Sequence, residues 1–170
     1  MCRAFDAIAA SGVDAQLVLV GDGPLRAPLQ RRHPGTHFAG VRRGADLAAH
    51  YASADLFLFA SLTETFGNVV PEARASGLPV VAFDCASAAQ LVTPDSGALT
   101  APADAPAFIG HALRVAQDRR ALRARGQHAR GRAMLLDWRQ VIDDLEAVLL
   151  HAVLRHAANQ SPLLLRPSAT

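Results

Sequence analysis

Short apolar runs alternate with amphipathic segments through most of the chain. The run at 55–60 lacks polar alternation and ends in small polar residues, so it predicts a fully buried strand. The runs at 16–20 and 80–83 predict two more buried strands, and those at 37–40 and 97–99 predict two short ones. Because predicted helices separate these strands, the pattern indicates an α/β fold of three layers with a mostly parallel sheet.

The predicted helices carry apolar residues on one face and end at glycine or small residues. Between the strands they lie at 3–11, from about 25, at 45–52, at 66–77 and near 86–92. Beyond Asp104, which caps a helix, only helices are predicted. A second helix covers about 119–134, and a third starts at 137 or 138.

The third of these helices carries an apolar stripe of Val141, Ile142, Leu145, Val148, Leu149 and Ala152. With Trp138 the stripe is predicted to be core, and an exposed patch in an isolated domain is the alternative. Residues 157–170 hold two prolines and no periodicity, which predicts a poorly ordered tail. We therefore expect one domain over 1–156 and a tail over 157–170.

Length and composition limit the chain to one well-buried domain. It has 170 residues, 51% of them apolar, and its net charge of +2 comes from 17 basic residues, arginine rather than lysine, against 15 acidic ones. No block of like charge occurs before residue 100, so we expect no nucleic-acid partner. The arginine-rich segment 114–132 is interpreted as a solvated helical face, with an anionic membrane surface as the less favoured alternative.

Cysteine and histidine usage indicates neither a disulfide framework nor a metal site. Cys2 and Cys85 lie far apart without CxxC or Cys/His spacing, and the seven histidines include no pair with ligand spacing. No run approaches the ~20 apolar residues of a membrane span, and the first residues lack the apolar region of a signal peptide. We expect a cytoplasmic protein, with peripheral contact at the inner face of the membrane left open.

The most informative stretch is residues 61–79, which holds Glu64 and Glu72. After the predicted strand, the tripeptide 66–68 opens a helix that ends at Gly77. A loop and helix N-terminus at this place binds phosphate in open parallel sheets, and carboxylates accept hydrogen bonds from vicinal hydroxyls. If the helix starts within that tripeptide, Glu72 lies roughly one turn or ~7 Å inside it. The pattern predicts a nucleotide sugar as ligand.

An ordered set of short motifs also gives the chain a resemblance to a known family. Over about residues 3–155 it resembles the C-terminal, donor-binding half of retaining glycosyltransferases of family 4, the glycosyl transferases group 1, whose GT-B fold has two Rossmann-like domains. Residues 82–92 are similar to a subgroup of lipid-linked mannosyltransferases. The motifs are Val20-Gly21-Asp22-Gly23-Pro24, Phe38-Ala39-Gly40, Tyr51-Ala52-Ser53-Ala54-Asp55, Glu64-Thr65-Phe66-Gly67 with Glu72, Ala75-Ser76-Gly77-Leu78-Pro79-Val80-Val81, and Trp138.

The resemblance implies a role for each matching residue. Glu64 would contact hydroxyls of the transferred sugar and is the catalytic candidate, while Glu72 would bind the ribose hydroxyls. The donor would be a GDP- or UDP-linked sugar, with no metal or other cofactor. The remaining donor-binding residues would act through their backbone or leave room for the ligand: Phe66, Gly67 and Asn68 at the sugar and diphosphate, Val41 at the base, and Gly21 and Gly23 where the chain passes the ligand.

Departures from the family's pattern change these expectations. The family's first strand, whose loop carries cations for the diphosphate, and the N-terminal acceptor-binding half would both precede residue 3. We therefore expect weak donor binding and no activity of the chain alone. Pro71 and Arg74 stand where the family has apolar helix residues. Pro71 is tolerable only in the first helical turn, and Arg74 is expected to face solvent or a partner.

The predicted function is donor binding in a retaining transferase of a hexose such as mannose, with a lipid or glycan acceptor and a cationic transition state stabilised electrostatically. The alternative is a non-catalytic nucleotide- or protein-binding module that kept the fold. A nucleotide-sugar epimerase would need additional acid–base residues that the sequence does not identify. Arg42 and Arg43 are interpreted as solvated rather than ligand-binding.

Overall fold

The computed structural model describes residues 1–160, without the side chains of Trp138 and residues 158–160. This part of the chain forms two compact units, one of Met1–Met134 and a second that begins at Leu135. Its elements are α1 (Cys2–Ala10), β1 (Val18–Val20), α2 (Arg26–Arg32), β2 (His37–Gly40), α3 (Gly44–Ala52), β3 (Phe57–Phe59), α4 (Val69–Ala75), β4 (Val80–Phe83), α5 (Ala86–Leu91), β5 (Gly97–Thr100), α6 (Ala105–Gln117), α7 (Arg119–Ala133) and α8 (Trp138–Gln160).

The strands of residues 1–160 are parallel and form two sheets. β1 pairs with β2, and β4 pairs with β3 on one side and β5 on the other. The predicted parallel α/β fold is confirmed. The strands of residues 1–160 fall into two sheets because no strand among them joins the unpaired edges of β1 and β3.

The three layers are built around β4, whose four residues are all buried. Because side chains alternate across a strand, Val81 and Phe83 pack with α1 and α6, while Val80 and Ala82 pack with α4 and α5. Burying a valine or phenylalanine contributes about 1.5–3 kcal/mol. This central strand therefore fixes the helices on both faces and the loops at its ends.

Two strands that the sequence predicted to be buried are partly exposed. Val18 and Val20 of β1 are each 42% exposed, and the residues of β3 have intermediate exposure. Within residues 1–160 both strands lie at a sheet edge, with a neighbouring strand on one side only. An apolar run reports the tendency of a segment to be buried, but the edge position limits how much is covered.

Helix α4 carries Glu72, one of the two glutamates of the central stretch. The helix begins at Val69 after the N-cap Asn68, so Pro71 lies in the first turn, where its missing N–H removes no helical hydrogen bond. Gly77 closes the helix with a φ of +83°, a left-handed conformation that favours glycine at this position. Gly77 ends α4 as the sequence predicted, and the helix begins at Val69, directly after the tripeptide 66–68 that was expected to open it.

Arg74 of α4 is buried, which contradicts the expectation that it faces solvent or a partner. It is 2% exposed, and its Nε has no hydrogen-bond partner in the described part of the chain. Burial lowers the pKa of its guanidinium and the charge of Arg132 lowers it further, while Asp95 acts in the opposite direction. The reason is that α4 packs against α7, a contact that no local pattern around Arg74 indicates.

The arginine-rich segment is mostly exposed, as predicted, but two of its side chains have structural partners. Arg125 donates to the carbonyl oxygens of Pro94 and Gly97 at 2.7 and 3.0 Å. Arg132 forms a 3.5 Å ion pair with Asp95. These contacts attach α7 to the residues that lead into β5.

The second unit contains α8, which continues past the predicted domain boundary at 156 to Gln160. The predicted disorder of 161–170 and the Trp138 side chain lie outside what the structure describes. The stripe of α8 is not core, since Val141, Leu145 and Val148 are 55%, 57% and 66% exposed. An apolar stripe shows which face of a helix can pack, not whether anything covers it. Within residues 1–160, no helix has both the length and the apolar content needed to cross a membrane.

Candidate functional site

The predicted site residues follow the carboxyl ends of three strands. Gly21 and Gly23 follow β1, Val41 follows β2, and the loop with Glu64 follows β3. Within each sheet the parallel direction places the connecting loops at one edge. This is the edge at which ligands bind in open parallel sheets.

The loop with Glu64 makes a turn at Gly67 that requires glycine. Gly67 has a φ of +84°, and a Cβ added there would lie 3.2 Å from Ser87 Oγ and 3.5 Å from Glu64 Cγ. Glu64 is exposed and forms no hydrogen bond to any described residue. Its carboxylate is therefore next to the turn and accessible to a ligand.

Ser87, in the first turn of α5, holds this loop in place. Its amide donates to the Phe66 carbonyl oxygen at 2.8 Å, and its hydroxyl donates to the Gly67 carbonyl oxygen at 2.9 Å. Ser87 is fully buried. By contrast, the amides of Phe66, Gly67 and Asn68 have no acceptor within residues 1–160. The loop carbonyls at 66 and 67 are thus satisfied by the protein, while three successive N–H groups remain available as donors.

Glu72 is in contact with Tyr51 of α3. The Tyr51 hydroxyl donates to Oε2 of Glu72 at 3.1 Å. The half-buried Tyr51 ring meets the Phe57 ring edge-on with 5.9 Å between centroids. Burial, and then the charge of Glu72 and this hydrogen bond, raise the pKa of the Tyr51 phenol above its ordinary value. Tyr51 is therefore a neutral hydrogen-bond donor at physiological pH.

A second group of predicted residues lies at the ends of β1 and β2. The Gly21 amide donates to the Gly40 carbonyl oxygen at 2.8 Å, and Gly21 has a φ of +129°, which favours glycine. The Asp22 carboxylate accepts a hydrogen bond from the Gly23 amide at 2.8 Å. Val41 is 59% exposed. The turn after β1 is thus tight, and the residue after β2 is open to solvent.

Two arginines next to this second group are engaged in ion pairs. Arg26 pairs with Asp22 at 3.3 Å, and Arg42 pairs with Asp46 at 3.1 Å. The side chain of Arg42 is 38% exposed, although its Nε is buried without a partner in the residues that the structure describes. Because α3 begins at Gly44, directly after Arg42 and Arg43, the side chain of Arg42 can reach the first turn of that helix.

The structure joins the predicted residues into two groups and adds two residues that the sequence did not identify. The residues around the end of β3 share one loop and helix, and those at β1 and β2 share neighbouring turns. No hydrogen bond among residues 1–160 connects the groups. Tyr51 and Ser87 had no predicted role, because their contacts join positions 21 and 20 residues apart. For Tyr51 the sequence offered one signal, its place in the motif 51–55 that contributes to the family resemblance.

A metal site of three or more ligands is not seen in the described residues, where no such group of His, Cys, Asp or Glu side chains comes together. Cys2 and Cys85 are both free. The chemically distinctive features of the first unit are therefore the two glutamates, the three free amides and the phenol.

Comparison with known proteins identifies the family. Residues 1–118 match the family described as glycosyl transferases group 1. The chain is 41% identical over 160 residues to a GDP-mannose-dependent alpha-mannosyltransferase of Mycolicibacterium smegmatis, covering 89% of the chain and 41% of that protein. It is 37% identical over 155 residues to a GDP-mannose-dependent alpha-(1-6)-phosphatidylinositol dimannoside mannosyltransferase of Mycobacterium tuberculosis, covering 86% of the chain and 39% of that protein. The chain thus spans about two fifths of the length of these relatives.

Solved structures share the fold. Sucrose-phosphate synthase from Thermosynechococcus elongatus is 27% identical with a TM-score of 0.70, covering 91% of this chain and 42% of that one. Anabaena Alr3699/HepE in complex with UDP and glucose is 25% identical with a TM-score of 0.69, covering 87% and 44%. TarM, 15% identical with a TM-score of 0.73 over 86% of this chain and 31% of its own, is similar in fold alone. The chain belongs to the glycosyl transferases group 1 and has the α/β fold of a GT-B glycosyltransferase domain.

Proposed function

We propose that the chain is the donor-binding domain of a retaining hexosyltransferase that takes mannose from GDP-mannose and transfers it to a lipid or glycan acceptor. The observation that carries the proposal is that Glu64 and Glu72 are both exposed on one loop and helix after β3, on either side of three amides without an acceptor. The names of the two relatives at 41% and 37% identity support a GDP-mannose donor, and the second supports a lipid acceptor.

The two glutamates have different roles in this proposal. Glu72 accepts hydrogen bonds from the ribose hydroxyls, because a carboxylate offers two oxygens to a vicinal diol. Glu64 accepts hydrogen bonds from hydroxyls of the transferred sugar and lies on the side where the sugar becomes positively charged. The N–H groups of residues 66–68 donate to the sugar and to the diphosphate, where negative charge develops as the bond to the sugar breaks.

The glycine-rich turn and Val41 complete the donor site in the proposal. Gly21 and Gly23 let the chain pass close to the ligand, and the Val41 backbone lies against the base. Arg26 and Arg42 each form one partly exposed ion pair among the described residues, and such pairs contribute about 0.2–1 kcal/mol. Exchanging such a partner for a diphosphate oxygen therefore costs little.

The whole protein is proposed to contain more than this chain. The greater length of the relatives and the unpaired edges of β1 and β3 support one further parallel strand between these two, the place of the first strand in the order 3-2-1-4-5-6. The loop of that strand would supply cations for the diphosphate, and an N-terminal half would bind the acceptor at the cytoplasmic face of the membrane. Alone, the chain is proposed to bind donor weakly and to transfer no sugar.

Titration calorimetry of the chain with GDP, GDP-mannose and UDP-glucose tests the donor site. Glu72→Gln should weaken the binding of both GDP and GDP-mannose by about 10-fold or more, because a hydrogen bond to a charged group contributes about 1.5–3 kcal/mol. Glu64→Gln should weaken GDP-mannose while leaving GDP nearly unchanged. Glu146→Gln, which removes the same charge from exposed α8, is the matched control and should change neither.

A chain that binds none of these nucleotides even at millimolar concentration would favour the alternative, a protein-binding module that kept the fold. Equal losses of GDP affinity in Glu64→Gln and Glu72→Gln would contradict the division between sugar and ribose. In the whole protein, the anomeric configuration of the product, read by NMR, should be that of the donor. Binding of GDP-mannose should be unchanged by EDTA if the site uses no metal.

A further inference from the structure

The phenol of Tyr51 is directed at the carboxylate that is proposed to bind ribose. Its hydroxyl donates to Oε2 of Glu72 at 3.1 Å. Glu72 is exposed on α4, and an exposed glutamate side chain ordinarily samples many rotamers. One donor from a neighbouring helix restricts that freedom without using the carboxylate's full capacity, since it has about four acceptor sites.

The ring that carries this hydroxyl is itself fixed by packing. It meets the Phe57 ring at 5.9 Å with an angle of 65° between the planes, and Phe57 stacks on Phe59 at 5.9 Å. Tyr51 and both phenylalanines pack against the buried cluster that includes Val70 of α4. The donor is therefore held by α3 and β3, which differ from the helix that carries Glu72.

Another hydroxyl contacts the same glutamate in a different way. Ser76 donates from its Oγ to the backbone carbonyl oxygen of Glu72 at 3.0 Å. That bond lies at the C-terminal end of α4 and does not involve the carboxylate of Glu72. The two hydroxyls thus allow an effect on the carboxylate to be separated from an effect on the helix.

We infer that Tyr51 is a positioning residue for donor recognition, which holds the Glu72 carboxylate in the orientation that accepts the ribose hydroxyls. The inference rests on the proposed function of Glu72. It predicts that Tyr51 acts on affinity for the ribose hydroxyls and not on affinity for the base or diphosphate. A carboxylate oriented in advance loses less rotamer freedom on binding.

The test compares GDP with 2′,3′-dideoxy-GDP in titrations of the full chain. In the unsubstituted protein GDP should bind more tightly, and Glu72→Gln should remove the difference. Tyr51→Phe keeps the ring and removes only the hydroxyl. It should weaken the binding of GDP about 3–10-fold, which is the effect of one hydrogen bond. The affinity for the dideoxy nucleotide should not change. Ser76→Ala, the matched control, should alter neither affinity.

The outcomes separate this inference from the proposed function. If the unsubstituted chain does not bind GDP more tightly than the dideoxy nucleotide, Glu72 does not bind ribose. That result would overturn both the proposed role of Glu72 and the inference about Tyr51. If it prefers GDP and Tyr51→Phe keeps the full preference, only the inference is overturned. Equal weakening of both nucleotides by Tyr51→Phe would also overturn it, because that result indicates a general structural role.

A second measurement requires no ligand. The chain has one tyrosine, so the ultraviolet absorbance of phenolate follows Tyr51 alone during an alkaline titration. Glu72→Gln should shift this titration to lower pH, since the charge of Glu72 and its hydrogen bond both oppose ionisation of the phenol. Glu146→Gln should leave the titration in place. The comparison is made at alkaline pH values at which circular dichroism shows the chain to be folded, and an unchanged phenolate absorbance there in Glu72→Gln would overturn the inference.

Discussion

Replacing Gly126 by alanine tests how closely α7 approaches the helix that carries Glu72. A Cβ added at Gly126 would lie 2.2 Å from the carbonyl oxygen of Gly77 and 3.3 Å from its carbonyl carbon. Both atoms belong to the backbone, so neither can be moved away by rotating a side chain. Gly131, in the same helix, provides the matched control, because an added Cβ there meets nothing within 4 Å.

The expected magnitudes follow from these distances. Ordinary van der Waals contact begins near 3.4 Å, so α7 and the end of α4 must separate by about 1 Å. Overpacking of this kind costs up to about 3 kcal/mol, while replacing glycine by alanine inside a helix contributes up to about 1 kcal/mol. Gly126→Ala should therefore lower the free energy of unfolding by about 2 kcal/mol. Gly131→Ala should raise it by up to about 1 kcal/mol.

Urea denaturation followed by circular dichroism measures both changes. At about 2–4 °C per kcal/mol, the melting temperature should fall by about 4–8 °C in Gly126→Ala and rise by up to about 4 °C in Gly131→Ala. Displacement of α4 should also weaken GDP binding in Gly126→Ala alone. Changes of the same sign and similar size in both variants would refute the close approach of the two helices.

Three further predictions address other contacts. Ser87→Ala removes the hydroxyl that donates to the Gly67 carbonyl oxygen. It should weaken GDP-mannose binding about 3–10-fold and lower the free energy of unfolding by about 1 kcal/mol. Unchanged binding would show that the loop is fixed by other contacts. Arg74→Met removes a buried guanidinium whose Nε has no partner in the described residues, and denaturation should show a stability equal to or greater than that of the original chain; a loss above about 1 kcal/mol would contradict this account. Burial and the charge of Arg114 lower the pKa of His111. As pH falls, His111 therefore becomes protonated at a higher pH in the unfolded chain than in the folded one. The free energy of unfolding should fall as pH drops below about 6.5. His111→Gln should reduce that slope in melting curves, and an unchanged slope would assign it to other groups.

Local patterns predicted the order of the elements well. The parallel strands, the cap at Asp104, and the end of α4 at Gly77 were expected, and the structure has them. These features depend on residues within one or two turns of each other. Family membership was also expected from the ordered motifs and is confirmed by the match over residues 1–118.

Errors arose where the environment of a segment depends on something distant. Arg74 was expected at the surface, but α7 covers it; β1 was expected to be buried, but it lies at a sheet edge. The stripe on α8 showed the spacing of a packing face and is nevertheless exposed. In each case the residue type and its period were interpreted correctly, and the missing information was which element lies opposite.

The sequence by itself determined that this is a parallel α/β domain and where along the chain its glutamates lie, because helix and strand periods, glycine and proline act over a few residues. The glycosyltransferase family came from the resemblance carried by the ordered motifs. Only the tertiary structure decided that Tyr51 donates to Glu72, that Ser87 holds the Gly67 turn, and that Arg74 is buried. Those contacts join segments about 20 residues or more apart. Their existence depends on how the strands and helices pack, which no local pattern of residues specifies.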